Sequence, residues 1–480
     1  MKRSFLINLF FLISINLLIK PFYIFGIDRA VQNLVGAETY GGWYASLLSF
    51  SYLLQIINDF GIQLFNNRNI AQHQQLLRKY LPNILVLKLM LGGVYMLITL
   101  GIGWFIGYDS IQFKILAFLA INQVLVSMIF YLRSNISGLH YYKTDSFFSA
   151  LDKLLMIVFC GLLLWVPPFS DYFSIQNFVY AQTLSYVITV IVAFAWIMPK
   201  VNYQLKLRFS WPFIVLILKK SYPYALTVFL AGVFTRIDQV MLERLLTDGK
   251  EQAGIYAAAY RMLDASNMIG FLMAGLLLPM FAKLLQNKQS IVGLQQLGFK
   301  LLFVVSLTTA MLCWFYQVPI MTLLYDDATV YWGRILGILM FSFVAMGMSY
   351  VNGTLLSANG SLFGLNVVAL CGAVLNIVLN AVLIGEYKAE GAAWATVFTQ
   401  FLVAAGQWWL VFKIFKMRLN VKLLLRSIAF LIGVASIIYY TSQLPFLWIW
   451  TLLLGGFICL ILAILLKLID IKELIESFKS

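Results

Sequence analysis

Runs of about 20 apolar residues recur along the whole sequence and constrain its fold more than any other feature. A helix needs roughly 20 apolar residues to cross the hydrocarbon core of a bilayer, and the 480 residues contain fourteen such runs. We therefore predict an all-α, polytopic membrane protein with fourteen transmembrane helices joined by short connections. The runs lie near 4–27, 42–65, 84–107, 113–135, 148–169, 174–198, 221–245, 253–283, 297–319, 330–356, 362–386, 390–414, 422–441 and 444–468.

The composition agrees with a chain that folds in lipid. Hydrophobic residues make up 62% and charged residues 11% of the sequence, whereas typical soluble domains are roughly 25% charged. The four cysteines lie inside apolar runs and the two histidines lie in loops, so we expect neither a disulfide framework nor a transition-metal site. The first run has no small-residue cleavage site after it, which favours a retained helix over a secretory signal.

Positive charge is distributed unevenly between the two sides of the predicted membrane. Lys and Arg number 34 against 19 Asp and Glu, which gives a net charge of +15. With the N-terminus inside, 25 of the 34 fall in cytoplasmic segments and helix flanks, and six fall in the outer loops. Cytoplasmic loops of membrane proteins carry this kind of excess. We therefore predict that both termini are cytoplasmic, and we attribute the charge to orientation rather than to nucleic acid as a partner.

A short internal repeat divides the sequence. Residues 38–45, Glu-Thr-Tyr-Gly-Gly-Trp-Tyr-Ala, resemble residues 251–258, Glu-Gln-Ala-Gly-Ile-Tyr-Ala-Ala, at an offset of 213 residues. Transporters are often built from repeated halves, and this offset corresponds to six predicted helices. It predicts an N-terminal lobe over 1–200 and a C-terminal lobe over 201–416, with helices 13 and 14 and a cytoplasmic tail in 417–480.

The sequence lacks the motifs of common membrane-associated enzymes and ATPases. It contains no Gly-x-x-x-x-Gly-Lys-Ser/Thr phosphate-binding loop, no Gly-x-Ser-x-Gly elbow and no His-Glu-x-x-His helix. The segments outside the predicted helices are too short to hold a catalytic domain. We therefore expect a transporter without its own ATPase, and not an enzyme.

Three basic residues lie inside the predicted helices and away from their flanks, where a charge is costly and commonly functional. Counting about 1.5 Å per residue from the cytoplasmic side places Lys20 at ~24 Å, Arg236 at ~21 Å and Arg261 at ~18 Å. Cations at similar depth would attract a phosphate or diphosphate group. Two alternatives stay open, because Arg261 could pair with Asp264 three residues later and Lys20 could extend its ammonium to the interface.

Four further polar residues on predicted helices 7, 11 and 12 share a depth. Asp238, Asn376, Asn380 and Thr396 have estimated heights of ~24, ~21, ~27 and ~22 Å. Their oxygen atoms could ligate a hard monovalent cation, or the side chains could form hydrogen bonds between helices.

A charged pair lies near the inner end of predicted helix 2. Asp59 stands within 57–61, Ile-Asn-Asp-Phe-Gly, and Arg68 follows in the next loop. The two residues could form an interfacial salt bridge or the latch of an inner gate.

Several of these segments resemble the signatures of one transporter family. Residues 236–238, Arg-Ile-Asp, and 254–261, Gly-Ile-Tyr-Ala-Ala-Ala-Tyr-Arg, resemble the helix 7–8 signature of the polysaccharide and oligosaccharide flippase family. Segments similar to its other signatures are 59–61 with 68–71, and 375–380 with 391–396. The combination is fairly specific for the superfamily that also holds multidrug and toxin extrusion exporters and the lipid II flippase.

The resemblance implies two six-helix lobes around a central cavity that opens alternately to each side. In the flippase branch this cavity is cationic and carries polyprenyl-diphosphate-linked sugars, and the matching residues here are Lys20, Arg29, Arg236 and Arg261. The implied location is the bacterial cytoplasmic membrane. The implied partners are a lipid-linked oligosaccharide as substrate, membrane lipids, and polysaccharide polymerase or assembly proteins. Helices 13 and 14 would line a groove for the lipid tail.

The resemblance also bears on the coupling ion. The lipid II flippase has a sodium site, and its positions match Asp238, Asn376, Asn380 and Thr396. Asn380 stands where that branch has a carboxylate, so one carboxylate is left here. A weak sodium site and a protonatable Asp238 are both compatible with this set, and no other cofactor is expected.

Three hypotheses cover these observations. The first is a flippase for lipid-linked oligosaccharide. The second is a cation-coupled, multidrug-type exporter of small amphipathic compounds, which favours an acidic cavity. The third is a membrane-embedded enzyme of glycan assembly, which needs a large catalytic outer loop.

Overall fold

The computed structural model describes residues 18–72, 74–139, 141–201, 210–417 and 420–469. Over these residues the protein is almost entirely helical and has no strand, which confirms the predicted all-α fold. Eleven of the described helices are long and apolar enough to span a membrane. The protein is therefore a multi-pass membrane protein, and the count of fourteen helices stays a prediction.

The chain forms two compact units, Met1–Gly254 and Ile255–Ser480. The lobe boundaries predicted at 200 and 416 stay predictions. The described helices of the first unit are α1 (Arg29–Tyr40), α2 (Ser46–Leu53), α3 (Gln55–Asp59), α4 (Ile62–Gln72), α5 (Leu77–Ile106), α6 (Ser110–Gly138), α7 (Tyr142–Trp165), α8 (Ile175–Ile197), α9 (Trp211–Leu245) and the start of α10 (Gly249–Gln286). The second unit continues α10 and adds α11 (Val292–Phe315), α12 (Gln317–Leu324), α13 (Val330–Ala358), α14 (Leu362–Phe415), α15 (Val421–Ser442) and α16 (Trp448–Leu465).

The first predicted span is not a straight helix. Its residues 4–17 lie outside the described residues, and its end, Tyr23–Asp28, is a π-helix that follows Pro21. Proline inside a helix removes a hydrogen bond and crowds the preceding turn, and π-helix occurs mostly as single turns within α-helices. Arg29 begins α1, a helix interrupted at Gly36 with a φ of 78°.

The second predicted span, 42–65, is divided into several short helices. A π-helix over Gly41–Ala45 leads into α2, and the later breaks fall at Leu54 and at Phe60-Gly61. Phe60 and Gly61 have φ values of 48° and 71°. A Cβ at Gly61 would lie 2.7 Å from the backbone nitrogen of Ala225 on α9, so glycine is needed for both the conformation and the packing. Apolar patterning does not predict these breaks, because they depend on backbone contacts with another helix.

Three helices begin before the apolar runs that predict them. The structure starts α5 at Leu77 rather than 84, α7 at Tyr142 rather than 148, and α9 at Trp211 rather than 221. A hydropathy count stops at polar residues, although the helical hydrogen bonds continue through them. The earlier starts place Lys88 and Lys153, which the charge count assigns to cytoplasmic flanks, about three turns from the beginning of α5 and α7.

The two copies of the internal repeat contact each other through glycines. A Cβ at Gly41 would overlap the carbonyl oxygen of Lys250, and a Cβ at Gly254 would overlap that of Ala37. The 213-residue offset of the repeat relates Ala37 to Lys250 and Gly41 to Gly254. The two contacts are therefore reciprocal, as at an interface with two-fold symmetry. The Nε2 of Gln32 adds a hydrogen bond of 3.0 Å to the carbonyl oxygen of Gly254.

In the second unit, α14 consists of two antiparallel spans. Lys388, near its middle, has a non-helical φ of 53° and ψ of −132°. A Cβ at Gly391 would overlap the carbonyl oxygen of Leu383, whereas eight residues of straight helix would separate the two by ~12 Å. The chain therefore folds back at Lys388, in agreement with the separate runs predicted at 362–386 and 390–414.

Lipid explains the exposed surface of the last two helices. On α16, Trp450, Phe457 and Leu465 are 67%, 62% and 73% exposed. Soluble proteins rarely expose contiguous apolar surface of this kind, whereas a membrane-spanning helix presents it to the hydrocarbon core.

The reciprocal glycine contact predicts that two valine substitutions in α10, at Gly254 and at Gly275, reduce the stability of the protein by different amounts. Gly254→Val should destabilise the first unit by about 1–3 kcal/mol, since an added side chain at a close backbone contact forces displacement. Gly275→Val is the control, because nothing lies within 4 Å of a Cβ there. Melting temperatures of the detergent-solubilised variants test this, and equal losses in the two would contradict the contact.

Candidate functional site

Lys20 belongs to a group of charged residues in the first unit. Its side chain is partly buried, and its charge interacts with those of Arg133, Asp152 and Lys153. The Nε of Arg133 donates a hydrogen bond of 2.8 Å to Asp145 Oδ1, so Arg133 is neutralised locally. Lys20 and Lys153 share the carboxylate of Asp152, and the carboxylate of Asp28 lies beside the adjoining Tyr40, so the group combines two lysines with two carboxylates.

Lys153 is a site residue that the sequence reasoning missed. It lies on α7, about 16 Å along the helix from Tyr142. Its Nζ lies 3.4 Å from Asp152 Oδ2 and 3.4 Å from the Tyr186 hydroxyl, and it is 5.0 and 5.3 Å from the ring centres of Tyr23 and Tyr186. These contacts are long for an ammonium, which normally bonds at roughly 2.7–2.9 Å to a charged oxygen. The ammonium therefore combines a loose ion pair with contacts to two aromatic faces.

A hydrogen-bonded tyrosine cluster adjoins Lys153. Gln182 Nε2 donates to the hydroxyls of Tyr23, at 3.0 Å, and Tyr44, at 2.8 Å. The Tyr40 hydroxyl donates to Asp28 Oδ1 at 2.8 Å. This part of the first unit thus combines cations, aromatic faces and uncharged hydrogen-bonding groups.

Lys88 is the second missed lysine, and its environment differs from that of Lys153. It is fully buried on α5, forms an ion pair with Asp59, and donates to Ser127 Oγ at 2.6 Å. The neighbouring Asn58 Nδ2 donates to the carbonyl oxygen of Gln123 at 2.8 Å. The partner of Asp59 in the described residues is therefore Lys88, within one unit. The side chain of Arg68 lies outside the described residues, and its role at an inner gate stays a prediction.

Arg29 and Arg236 also lie in the first unit. The Nε of Arg29 is buried, and no described residue accepts a hydrogen bond from it. The guanidinium of Arg236 lies 5.6 Å from the ring centre of Tyr52, on α2. An aromatic face stabilises a cation without neutralising its charge.

Arg261 is held in the second unit by a tyrosine. Its Nη1 donates to the Tyr325 hydroxyl at 3.0 Å, and that hydroxyl lies 3.5 Å from the carbonyl oxygen of Ala258. Tyr325 is buried and packs on Trp332, with ring centres 5.7 Å apart. The guanidinium is thereby fixed at the short segment between α12 and α13.

The residues predicted to bind a cation are all fully buried. In the second unit, Asn380 Nδ2 donates to Asn376 Oδ1 at 3.2 Å, and Thr396 shares a hydrogen bond of 3.0 Å with Tyr256. Asn380 precedes Lys388 by eight residues and Thr396 follows it by eight, so the fold-back of α14 brings both to a similar depth. Asp238 lies in the first unit, on α9. Cation binding by these four residues stays a prediction.

Comparison with known protein families identifies the chain. The family model described as polysaccharide biosynthesis protein matches residues 5–285. The chain belongs to this family. No curated protein matches the sequence.

Solved structures with the same fold are membrane transporters. The lipid II flippase MurJ, in an inward closed conformation, aligns with a TM-score of 0.68 and 13% identity, over 95% of this chain and 99% of that one. An inward-facing multidrug resistance MATE transporter of the MOP superfamily aligns with a TM-score of 0.64 and 14% identity, over 82% and 94%. A MOP superfamily transporter from Pyrococcus furiosus, described as having a binding pocket of reversed polarity, gives 0.62 and 13%, over 86% and 96%. The chain therefore has the MOP transporter fold.

The Lys88–Asp59 pair predicts an unequal response to its two single substitutions. Asp59→Asn leaves Lys88 buried and unpaired and should cost about 3 kcal/mol. Lys88→Met should cost less, because the Asp59 side chain is 24% exposed and can reach water. The double variant should be more stable than the sum of the single losses implies. Unfolding in a graded series of denaturing detergent measures all three, and additive losses would show that the pair does not interact.

Proposed function

We propose that this chain is a flippase that translocates a polyprenyl-diphosphate-linked oligosaccharide across the bacterial cytoplasmic membrane by alternating access. The observation that carries the proposal is the pair of basic residues Lys20 and Lys153, of which Lys153 lies well inside the membrane-spanning helix α7. Membership of the polysaccharide biosynthesis family and the MOP transporter fold support it.

The electrostatic argument for cations at this site is the free-energy cost of moving a diphosphate through the low-dielectric interior of the membrane. An unpaired charge in a low-dielectric environment costs several kcal/mol, and cations paired with phosphate oxygens offset that cost. Lys153 has long contacts to protein oxygens, so a phosphate oxygen could approach it more closely than its present partners do. Arg261 would supply a further positive charge from the second unit.

The aromatic and amide groups beside Lys153 suit an oligosaccharide. Tyr23 and Tyr186 present flat apolar faces, and Gln182 and the tyrosine hydroxyls supply donors and acceptors. Binding sites for polar ligands combine such surfaces with a few placed hydrogen-bonding groups. The lipid part of the substrate would stay in the bilayer while the headgroup crosses.

We also propose that the protein is not an enzyme and that its orientation follows the charge distribution. Both termini would be cytoplasmic, so an impermeant thiol reagent would label a cysteine at position 250 from outside and one at 416 only from inside. Polymerase or assembly proteins would receive the translocated oligosaccharide as partners.

The transport prediction concerns Lys153. A charge-assisted hydrogen bond contributes about 1.5–3 kcal/mol, so Lys153→Met should weaken substrate binding roughly tenfold or more. Lys153→Arg should retain most of the activity because the charge remains. The measurement is the initial rate at which proteoliposomes move a polyprenyl-diphosphate-linked oligosaccharide to the leaflet that a glycosidase can reach.

The matched control is Lys143→Met, since Lys143 lies on the same helix and is exposed. Lys143→Met should transport normally. If Lys153→Met also transports normally, Lys153 does not bind the substrate. If the protein instead exports small organic cations and leaves the lipid-linked oligosaccharide in place, it is a multidrug-type exporter, for which Asp28 and Asp152 would supply acidic groups.

The coupling prediction concerns Asp238. We propose that Asp238, Asn376, Asn380 and Thr396 bind Na⁺, or that Asp238 takes up H⁺, and that occupancy shifts the inward–outward equilibrium. An ion shifts such an equilibrium only by its difference in affinity between the states. Asp238→Asn should therefore abolish the response of transport to imposed Na⁺ and H⁺ gradients. If transport by the unaltered protein does not respond to either gradient, the four residues have only a structural role.

A further inference from the structure

The two aromatic rings that contact Lys153 are both supported by one helix, α8. The Lys153 Nζ lies 5.0 Å from the ring centre of Tyr23 and 5.3 Å from that of Tyr186. Tyr186 is a residue of α8, whereas Tyr23 begins the π-helix Tyr23–Asp28. The Nε2 of Gln182 donates a hydrogen bond of 3.0 Å to the Tyr23 hydroxyl. Gln182 precedes Tyr186 by one turn of α8, so the two side chains lie on the same face of that helix.

The hydrogen bond from Gln182 fixes the end of the Tyr23 side chain that is farthest from the backbone. Tyr23 lies two residues after Pro21, at the start of a π-helix, and π turns are frequent at functional sites. Gln182 and Tyr23 are both buried, so water does not compete for the bond. The bond therefore sets where the Tyr23 ring lies against Lys153.

A second hydrogen bond holds the Gln182 amide in place. Its Nε2 also donates to the Tyr44 hydroxyl at 2.8 Å, and Tyr44 belongs to the other π-helix, Gly41–Ala45. The Tyr44 ring packs edge to face on Tyr40 and Phe178, with ring centres 5.1 and 5.2 Å away. Because Tyr44 is fixed by this packing, the amide that it anchors is fixed as well.

Lys153 is the member of this group that a ligand can reach. Its side chain is 22% exposed, and its Nζ lies 3.4 Å from the nearest oxygen atoms of Asp152 and Tyr186. A lysine ammonium is carried on a flexible four-carbon stem, so its position depends on the surfaces that it contacts. A displaced Tyr23 ring would remove one of the two aromatic faces.

We propose that Gln182 is a positioning residue, which acts through Tyr23 to hold Lys153 where it binds the anionic group of the substrate. The inference rests on the proposed function, in which Lys153 contacts a phosphate oxygen. Gln182 needs no contact with the substrate for this role. It orders the ammonium before the substrate arrives, and a group that is already ordered loses less conformational entropy on binding.

Transport kinetics in proteoliposomes test this role. Gln182→Leu removes both hydrogen bonds, and Tyr23→Phe removes one of them while the ring remains. Each should raise the KM for the polyprenyl-diphosphate-linked oligosaccharide about threefold to tenfold, the factor that corresponds to one lost hydrogen bond. The kcat should change little, because an interaction lost equally from the ground and transition states affects KM alone. The double variant should resemble either single variant, since both remove the same bond.

Two further comparisons separate positioning from a structural role. In a Lys153→Met background, Gln182→Leu should have no further effect on KM, because no ammonium is left to position. Tyr44→Phe should raise KM less than Tyr23→Phe does, since the Tyr44 ring keeps its contacts with Tyr40 and Phe178. Equal effects of Gln182→Leu in both backgrounds would overturn the proposal and show that Gln182 only joins helices.

The matched control is Gln176→Leu, the same change six residues earlier on α8 at a partly exposed position. It should leave KM and kcat unchanged. Binding of undecaprenyl diphosphate, which carries the anionic group without the sugar, is measured in the same variants and should weaken by the same factors. If Lys153→Met weakens binding but Gln182→Leu and Tyr23→Phe do not, this inference fails alone. If Lys153→Met itself binds and transports normally, the proposed role of Lys153 fails, and this inference fails with it.

Discussion

Charge inside membrane-spanning helices is the constraint on which the other features of this protein depend. Such a charge is stable only beside an opposite charge, a polar partner or a bound ligand. Lys88 and Lys153 each lie about 16 Å from the start of their helix, yet their charges are stabilised by different kinds of partner. Lys88 is satisfied by Asp59 and Ser127, whereas Lys153 rests on tyrosine rings with long oxygen contacts. The first arrangement holds helices together, and the second leaves the ammonium with no oxygen closer than 3.4 Å among the described residues.

Hydropathy predicts most of this fold because every segment that spans the lipid must be a helix of roughly 20 apolar residues. Later runs, such as 330–356 and 422–441, match the observed α13 and α15 within two residues at each end. The first two spans do not follow the rule, because their breaks at Gly36 and Phe60-Gly61 arise from backbone conformation and tertiary contact. The missed lysines have a related cause. Lys88 and Lys153 lie near the starts of the predicted runs 84–107 and 148–169, so a charge count assigns them to the flanks, whereas their helices begin earlier, at Leu77 and Tyr142.

The internal repeat carries more structural information than its short sequence match indicates. Similarity between 38–45 and 251–258 predicts related halves, but it contains no information on whether the two copies meet. The structure places Gly41 against Lys250 and Gly254 against Ala37, and these pairs exchange under the repeat offset. A duplicated segment that contacts its own copy needs a small residue at the same position twice. This explains why glycine is retained in both copies at this position while the neighbouring residues differ.

The polar residues of the second unit form hydrogen bonds both within and between helices. Asn380 donates to Asn376 within α14, Thr396 shares a hydrogen bond with Tyr256 across α14 and α10, and Gln295 donates to Asn352 across α11 and α13. Polar groups in spanning helices commonly form such bonds. The hydrocarbon core contains no water that could replace them, so the two bonds between helices fix the relative positions of the helices that they join.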